Sequence, residues 1–163
     1  MEIKKILVPL DGSALAEEAI AKAIEFTRSA EPTLTLLRAA EAPTMPGVDP
    51  TDAQVTVVRE AEEYLAGVAA RLKARGITRV ETSVWYGPAA LSIVEAARYR
   101  KADLIVMSTH GRTGLGRLIL GSVAESVLRG TTTPILLLRA AEAPVQAPAG
   151  SGQARPASER QAV

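Results

Sequence analysis

Residues able to do chemistry gather in two stretches of the chain. The first is Pro9-Leu10-Asp11-Gly12-Ser13, where an apolar run ends in a carboxylate and a turn. The second is Leu104 to Ser122, LIVMSTHGRTGLGRLILGS. There a continuous apolar run, Leu104 to Met107, gives way to Ser108, Thr109, His110, Gly111, Arg112, Thr113, Gly114, Gly116 and Arg117. Gly121-Ser122 then opens a predicted helix, and Ser122-x-x-Glu125 has capping-box spacing. Strand, glycine-rich loop and helix N-terminus together make an anion site. Glycines let backbone N–H groups approach a phosphate, and the helix end adds free donors and positive partial charge. Asp11 could bind ribose hydroxyls or Mg²⁺, or could be a turn-forming Asp-Gly that satisfies local backbone donors. The plain alternative for the second stretch is a connection that binds nothing.

Two well-known phosphate motifs do not fit. Gly111 to Leu118 reads G-x-x-x-x-G-R-L, with Arg117 in place of the Walker A lysine and Leu118 lacking the magnesium-binding hydroxyl. Gly114-x-Gly116-x-x-Ile119 misses the third glycine of the dinucleotide fingerprint. His110, the single histidine, has no evident orienting partner, so a loop hydrogen bond is a better reading than general-base chemistry. Arg112 and Arg117 are either phosphate contacts or a solvated loop face, with phosphate contact favoured for Arg112. Trp85 and Tyr86 read as strand-end packing.

The elements that must position these residues follow from hydrophobic period. Ile3–Leu10 reads as a buried strand, with Ser13 the N-cap of a helix from Ala14 to about Ala30. Thr33–Ala39 is a second strand, followed by an irregular segment containing Pro43, Pro46, Gly47 and Pro50. Thr51-x-x-Gln54 starts a helix to about Arg75, with Val55, Val58, Ala61, Leu65, Val68, Ala69 and Leu72 as its buried stripe. Val80–Tyr86 is the third strand. Gly87-Pro88 starts the third helix, proline suiting the first helical position, and Leu91, Ile93, Val94, Ala97 and Tyr99 supply its apolar contacts. Ala102–Met107, a helix from Ser122 to about Arg129, and Thr133–Leu138 complete the order. Strands alternating with helices imply an α/β fold, a parallel sheet with helices on both faces.

Length and composition narrow the class. The 163 residues suit a single domain. Lys+Arg number 19 and Asp+Glu 18, a formal charge of +1 that argues against a nucleic-acid footprint. Cysteine is absent, which excludes a disulfide scaffold and thiolate metal sites. No apolar run reaches membrane-spanning length, and the N-terminus lacks a signal-like apolar core, so a cytoplasmic protein is expected. Residues 140–163 change to Ala, Pro, Gly, Gln and Ser, a composition expected of a disordered tail.

The pattern Ser108-x-x-Gly111, nine residues, Gly121-Ser122 resembles the nucleotide loop of the universal stress proteins, G-x-x-G, nine residues, G-[ST]. Only Ser108 departs from it. With KKILVPLDGS at the start and TPILLLR at the close, the resemblance covers residues 1–139. It implies a five-stranded, doubly wound, adenine-nucleotide-hydrolase-like domain that binds ATP with Mg²⁺. The nucleotide positions it implies are Pro9, Leu10, Asp11, Ala39, Met107, Ser108, Gly111, Arg112, Gly114, Gly121, Ser122 and Val123, with Asp11 also serving the metal. It further implies a homodimer through the fifth strand, Ile135 to Leu138. Ser108 fits if its position needs neither positive φ nor the closest backbone approach. Other members of the family bind no nucleotide, so a nucleotide-free interaction module remains the alternative. A phosphoacceptor signalling domain is rejected, because Asp11 stands alone after the first strand and the third ends in Trp85-Tyr86.

Overall fold

The computed structural model describes residues 2–27, 32–42, 50–109 and 120–139. Among them the order is β1 (Lys5–Pro9), α1 (Ala14–Thr27), β2 (Thr33–Ala40), α2 (Pro50–Ala74), β3 (Val80–Tyr86), α3 (Ala89–Arg100), β4 (Leu104–Ser108), α4 (Ser122–Gly130) and β5 (Ile135–Leu138). The strands form one parallel sheet in the order β3-β2-β1-β4-β5. Chain order therefore runs outward from β1 in one direction and then resumes on its other side. That reversal opens a crevice at the carboxyl ends of β1 and β4.

Continuous apolar runs are required because both sheet faces are covered. On β1, Ile6 and Val8 enter one core and Leu7 the other; on β4, Leu104 and Val106 oppose Ile105 and Met107. Ala16, Ala19, Ile20 and Ala23 of α1 and Leu65, Val68, Ala69 and Leu72 of α2 fill the first core. Ile93, Ala96 and Ala97 of α3 and Ala124 and Val127 of α4 fill the second. Alanines on α1 and α3 bring those helices close to the sheet. Several of the largest side chains, among them Leu7, Leu36, Leu37 and Leu65, are wholly buried. Truncating one to alanine costs ~2–5 kcal/mol.

Three expectations are corrected at helix ends. Val55 was expected in the α2 stripe but is 62% exposed, and burial begins at Ala61. The 25 residues of α2 reach roughly 37 Å at 1.5 Å per residue, beyond the strands they cover. Pro88 is the N-cap of α3, not its first helical residue; its ψ of 134° is extended, and its carbonyl accepts from the Ser92 N–H at 3.0 Å. Leu91 and Tyr99 lie on the outer side of α3, although Tyr99 meets Trp85 edge-on at 6.1 Å. Trp85 packs against the second core, whereas Tyr86 is exposed.

Among the described residues β5 is an edge strand, paired only with β4. Ile135 and Leu137 pack on the α3/α4 core, Leu136 and Leu138 on the other. The carbonyls of Pro134 and Leu138 accept from Ile105 and Thr109. By alternation, the amides of Ile135 and Leu137 face away from β4.

Candidate functional site

The site begins with the turn after β1. Asp11 Oδ1 accepts from the Ser13 N–H at 2.9 Å and the Ser13 hydroxyl at 2.6 Å. Ser13 Oγ in turn accepts from the Ala16 N–H at 3.1 Å, capping α1 as the sequence indicated. Gly12 between them has φ 86°, the left-handed region that glycine enters without strain. The local-turn reading of Asp11 is thus correct, and it coexists with a place in the crevice. Opposite it, β4 ends at Ser108, inside the strand, where a serine backbone fits. The Gly121 N–H donates to the Thr109 carbonyl at 2.8 Å, joining the strand end to the start of α4.

The start of α4 differs from the capping-box reading. Gly121, not Ser122, is the N-cap, and no side chain among the described residues caps the helix. Glu125 instead pairs with Arg129, at 2.9 Å. Gly121 has φ −58° and ψ 146°, a conformation open to any residue, so no positive φ requires glycine there. Its amide is also committed to Thr109. The helix-end donors facing the crevice are therefore those of Ser122, Val123 and Ala124, the first-turn amides that have no partner within a helix.

Between these elements lies a cleft of about 350 Å³, within the range of small-molecule sites. Its apolar floor is Leu37, Ile93, Met107 and Ala124, all from the α3/α4 core. Polar groups rim it: Asp11, Arg38, Ser108, Thr109 and Ser122. Of the residues singled out in the sequence, Pro9, Leu10, Asp11, Ala39, Met107, Ser108, Gly121, Ser122 and Val123 all line this one cleft. Gly111, Arg112 and Gly114, with His110 and Arg117, lie outside the described residues.

Sequence reasoning missed Arg38, and also Ala89 and Ile93 from α3. Arg38 sits in an apolar strand, and its register on β2 was the available signal: it shares the parity of Leu34 and Leu36, facing α1 and α2. Its guanidinium carbon lies 5.0 Å from the centre of the Tyr64 ring, a cation–π distance. The Tyr64 hydroxyl donates to Glu17 Oε1 at 2.9 Å, and Arg71 Nη2 reaches Glu17 Oε2 at 3.0 Å. Burial, and then the hydrogen bond to Glu17, push the Tyr64 phenol up to about 12. It is therefore a neutral donor at any physiological pH.

A parallel, doubly wound sheet with a polar-rimmed cleft at its switch point defines an α/β domain of the nucleotide-fold class. The chain belongs to the universal stress protein family, whose model matches residues 2–139. A universal stress protein of Methanocaldococcus jannaschii is 33% identical over 141 residues, covering 83% of this chain and 82% of that protein. Among solved structures, hypothetical protein MJ0577 aligns with a TM-score of 0.76 at 27% identity, covering 86% of this chain and 98% of its own. A universal stress protein in complex with cAMP aligns with a TM-score of 0.65 at 24% identity, covering 85% and 98%. No helix among the described residues is long and apolar enough to cross a membrane.

Proposed function

We propose that this protein is a nucleotide-binding regulator that takes ATP with Mg²⁺ in the cleft and acts through occupancy, with slow hydrolysis at most. The observation that carries the reading is the cleft's division into chemically distinct parts. An apolar floor suits a purine plane, the Asp11 carboxylate suits ribose hydroxyls or a cation, and the first turn of α4 suits phosphate. The family relative bound to cAMP supports a nucleotide as the ligand class. Gly111, Arg112 and Gly114 would complete the phosphate side.

Magnesium fits the donor set. It is commonly held by one or two carboxylates together with phosphate oxygens, and Asp11 offers a carboxylate at the rim. Asp11 would hold the ion, which would neutralise phosphate charge. Occupancy is favoured over turnover because the loop lacks the Walker A lysine and hydroxyl pair.

Homodimerisation through β5 belongs to the same proposal. Its outward amides at Ile135 and Leu137 offer an edge on which a second copy can pair. Titration calorimetry with ATP and AMP, with and without Mg²⁺, tests the nucleotide reading. Saturable binding of ATP strengthened by Mg²⁺ is expected; absence of heat or saturation with either nucleotide contradicts it.

A further inference from the structure

We infer that Arg38 is a ligand-selecting residue of the cleft, gripping the nucleobase end of the nucleotide, and that Tyr64 is the residue that positions it. The inference rests on the nucleotide reading above and extends it to a side chain outside the loop motif.

Three observations carry it. First, among the described residues lining the cleft, Arg38 is the one cationic side chain and Asp11 the one anionic. Second, their strands fix the order across the site. β1, bearing Asp11 just past its end, lies between β2, bearing Arg38, and β4, which leads to α4. Adjacent strands are spaced ~4.8 Å, so Arg38 stands roughly 10 Å across the sheet from the phosphate-binding side. A ligand with its phosphates at α4 and its ribose at Asp11 presents its base at β2. Third, Arg38 is held from behind. Its guanidinium lies over the Tyr64 ring, and Tyr64 is fixed by Glu17, which Arg71 also engages. Those contacts join β2, α1 and α2 in one arrangement that limits where the guanidinium can go.

The chemistry follows from the donor inventory. Guanidinium has five N–H donors in a planar fork and no acceptor. The groups it can recognise on a base are ring nitrogens and carbonyl oxygens with lone pairs. Asp11, with acceptors only, takes the complementary partners, the ribose hydroxyls. Arg38 therefore acts on a part of the ligand common to nucleoside, monophosphate and triphosphate.

The test is calorimetric titration of adenosine, AMP and ATP into the full chain and into Arg38→Gln, Arg38→Lys, Tyr64→Phe and Tyr64→Leu. Loss of one hydrogen bond from a charged donor corresponds to roughly 10- to 100-fold in affinity. Arg38→Gln is expected to lose that factor for all three ligands alike, and Arg38→Lys most of it, because the fork is gone while the charge remains. Tyr64→Phe keeps the ring beneath the guanidinium but loses the Glu17 anchor, so its loss of affinity is smaller than that of Tyr64→Leu. Tyr64→Leu lowers affinity in the parent but not when Arg38 is already glutamine. A merely structural Tyr64 would lower both backgrounds equally. Circular dichroism confirms that each variant is folded, and Arg38→Lys replaces Arg38→Gln if the latter is not. Unchanged affinity in the Arg38 variants overturns the inference while leaving the nucleotide reading intact. A loss confined to AMP and ATP also overturns it, by placing Arg38 on the phosphates. A parent that binds none of the three ligands removes the nucleotide reading itself, and the inference with it.

Discussion

Asp11 has a role in its turn and a proposed role towards the ligand, and substitution can separate them. Its Oδ1 accepts two hydrogen bonds from Ser13, whose hydroxyl also caps α1 through the Ala16 N–H. Asp11→Ala deletes both bonds at ~1 kcal/mol each, about 2 kcal/mol in all. For a chain of this size that lowers Tm by roughly 4–8 °C. Asp11→Asn keeps an oxygen acceptor facing Ser13 and removes only the charge, so Tm falls by less than ~4 °C. Both variants lose the carboxylate proposed for ribose and Mg²⁺, a loss of ~10- to 100-fold in ATP affinity. Thermal unfolding of ligand-free protein, followed by calorimetric titration with Mg·ATP, reads the two effects separately. The expected pattern is unequal stability with equally weakened binding. Parent-like ATP affinity in Asp11→Asn would refute the ligand role. Equal Tm values for the two variants would refute the account of the turn.

Four further outcomes follow from the geometry. Because Ser108 lies within β4, Ser108→Gly should change ATP affinity by less than about tenfold; larger loss or gain shows that the loop needs glycine there. Gly121→Ser places a good N-cap residue at an ordinary φ of −58°, so Tm should hold or rise while ATP affinity falls through lost backbone approach; intact affinity removes Gly121 from the contact. The Tyr64 phenol, raised to about 12 in the folded state against about 10 unfolded, favours the fold while neutral. That contribution is complete below pH 10 and is lost as pH rises towards 12, so urea unfolding should show the decline and Tyr64→Phe should flatten it. Finally, scattering at high concentration should give a dimer mass that Leu137→Pro reduces to a monomer, since proline removes an outward N–H of β5; a monomeric parent contradicts the edge proposal.

The sheet was legible because parallel strands buried on both faces must be continuously apolar, and Ile6-Leu7-Val8 and Leu104 to Met107 are. Val80–Tyr86 coincides with β3 to the residue. The cleft was legible wherever a backbone device marks itself in sequence: Asp11 and Gly12 at a left-handed turn, Gly121-Ser122 at a helix start. Details set by tertiary placement were not. Ser122-x-x-Glu125 satisfies the capping-box spacing, yet the helix starts one residue earlier than that pattern assumes. Val55 continues a helical stripe past the end of the sheet and is left exposed among the described residues. Arg38 escaped notice because its setting, over a Tyr64 ring that Glu17 holds, exists only once α1 and α2 pack on β2.

The central claim is that the cleft holds a nucleotide. Mass spectrometry of small molecules released by denaturing protein purified without added ligand tests it most directly. An adenine nucleotide at substantial occupancy, absent from Asp11→Asn prepared in parallel, is the result predicted. Protein that releases no nucleotide and does not bind Mg·ATP when titrated would contradict the account.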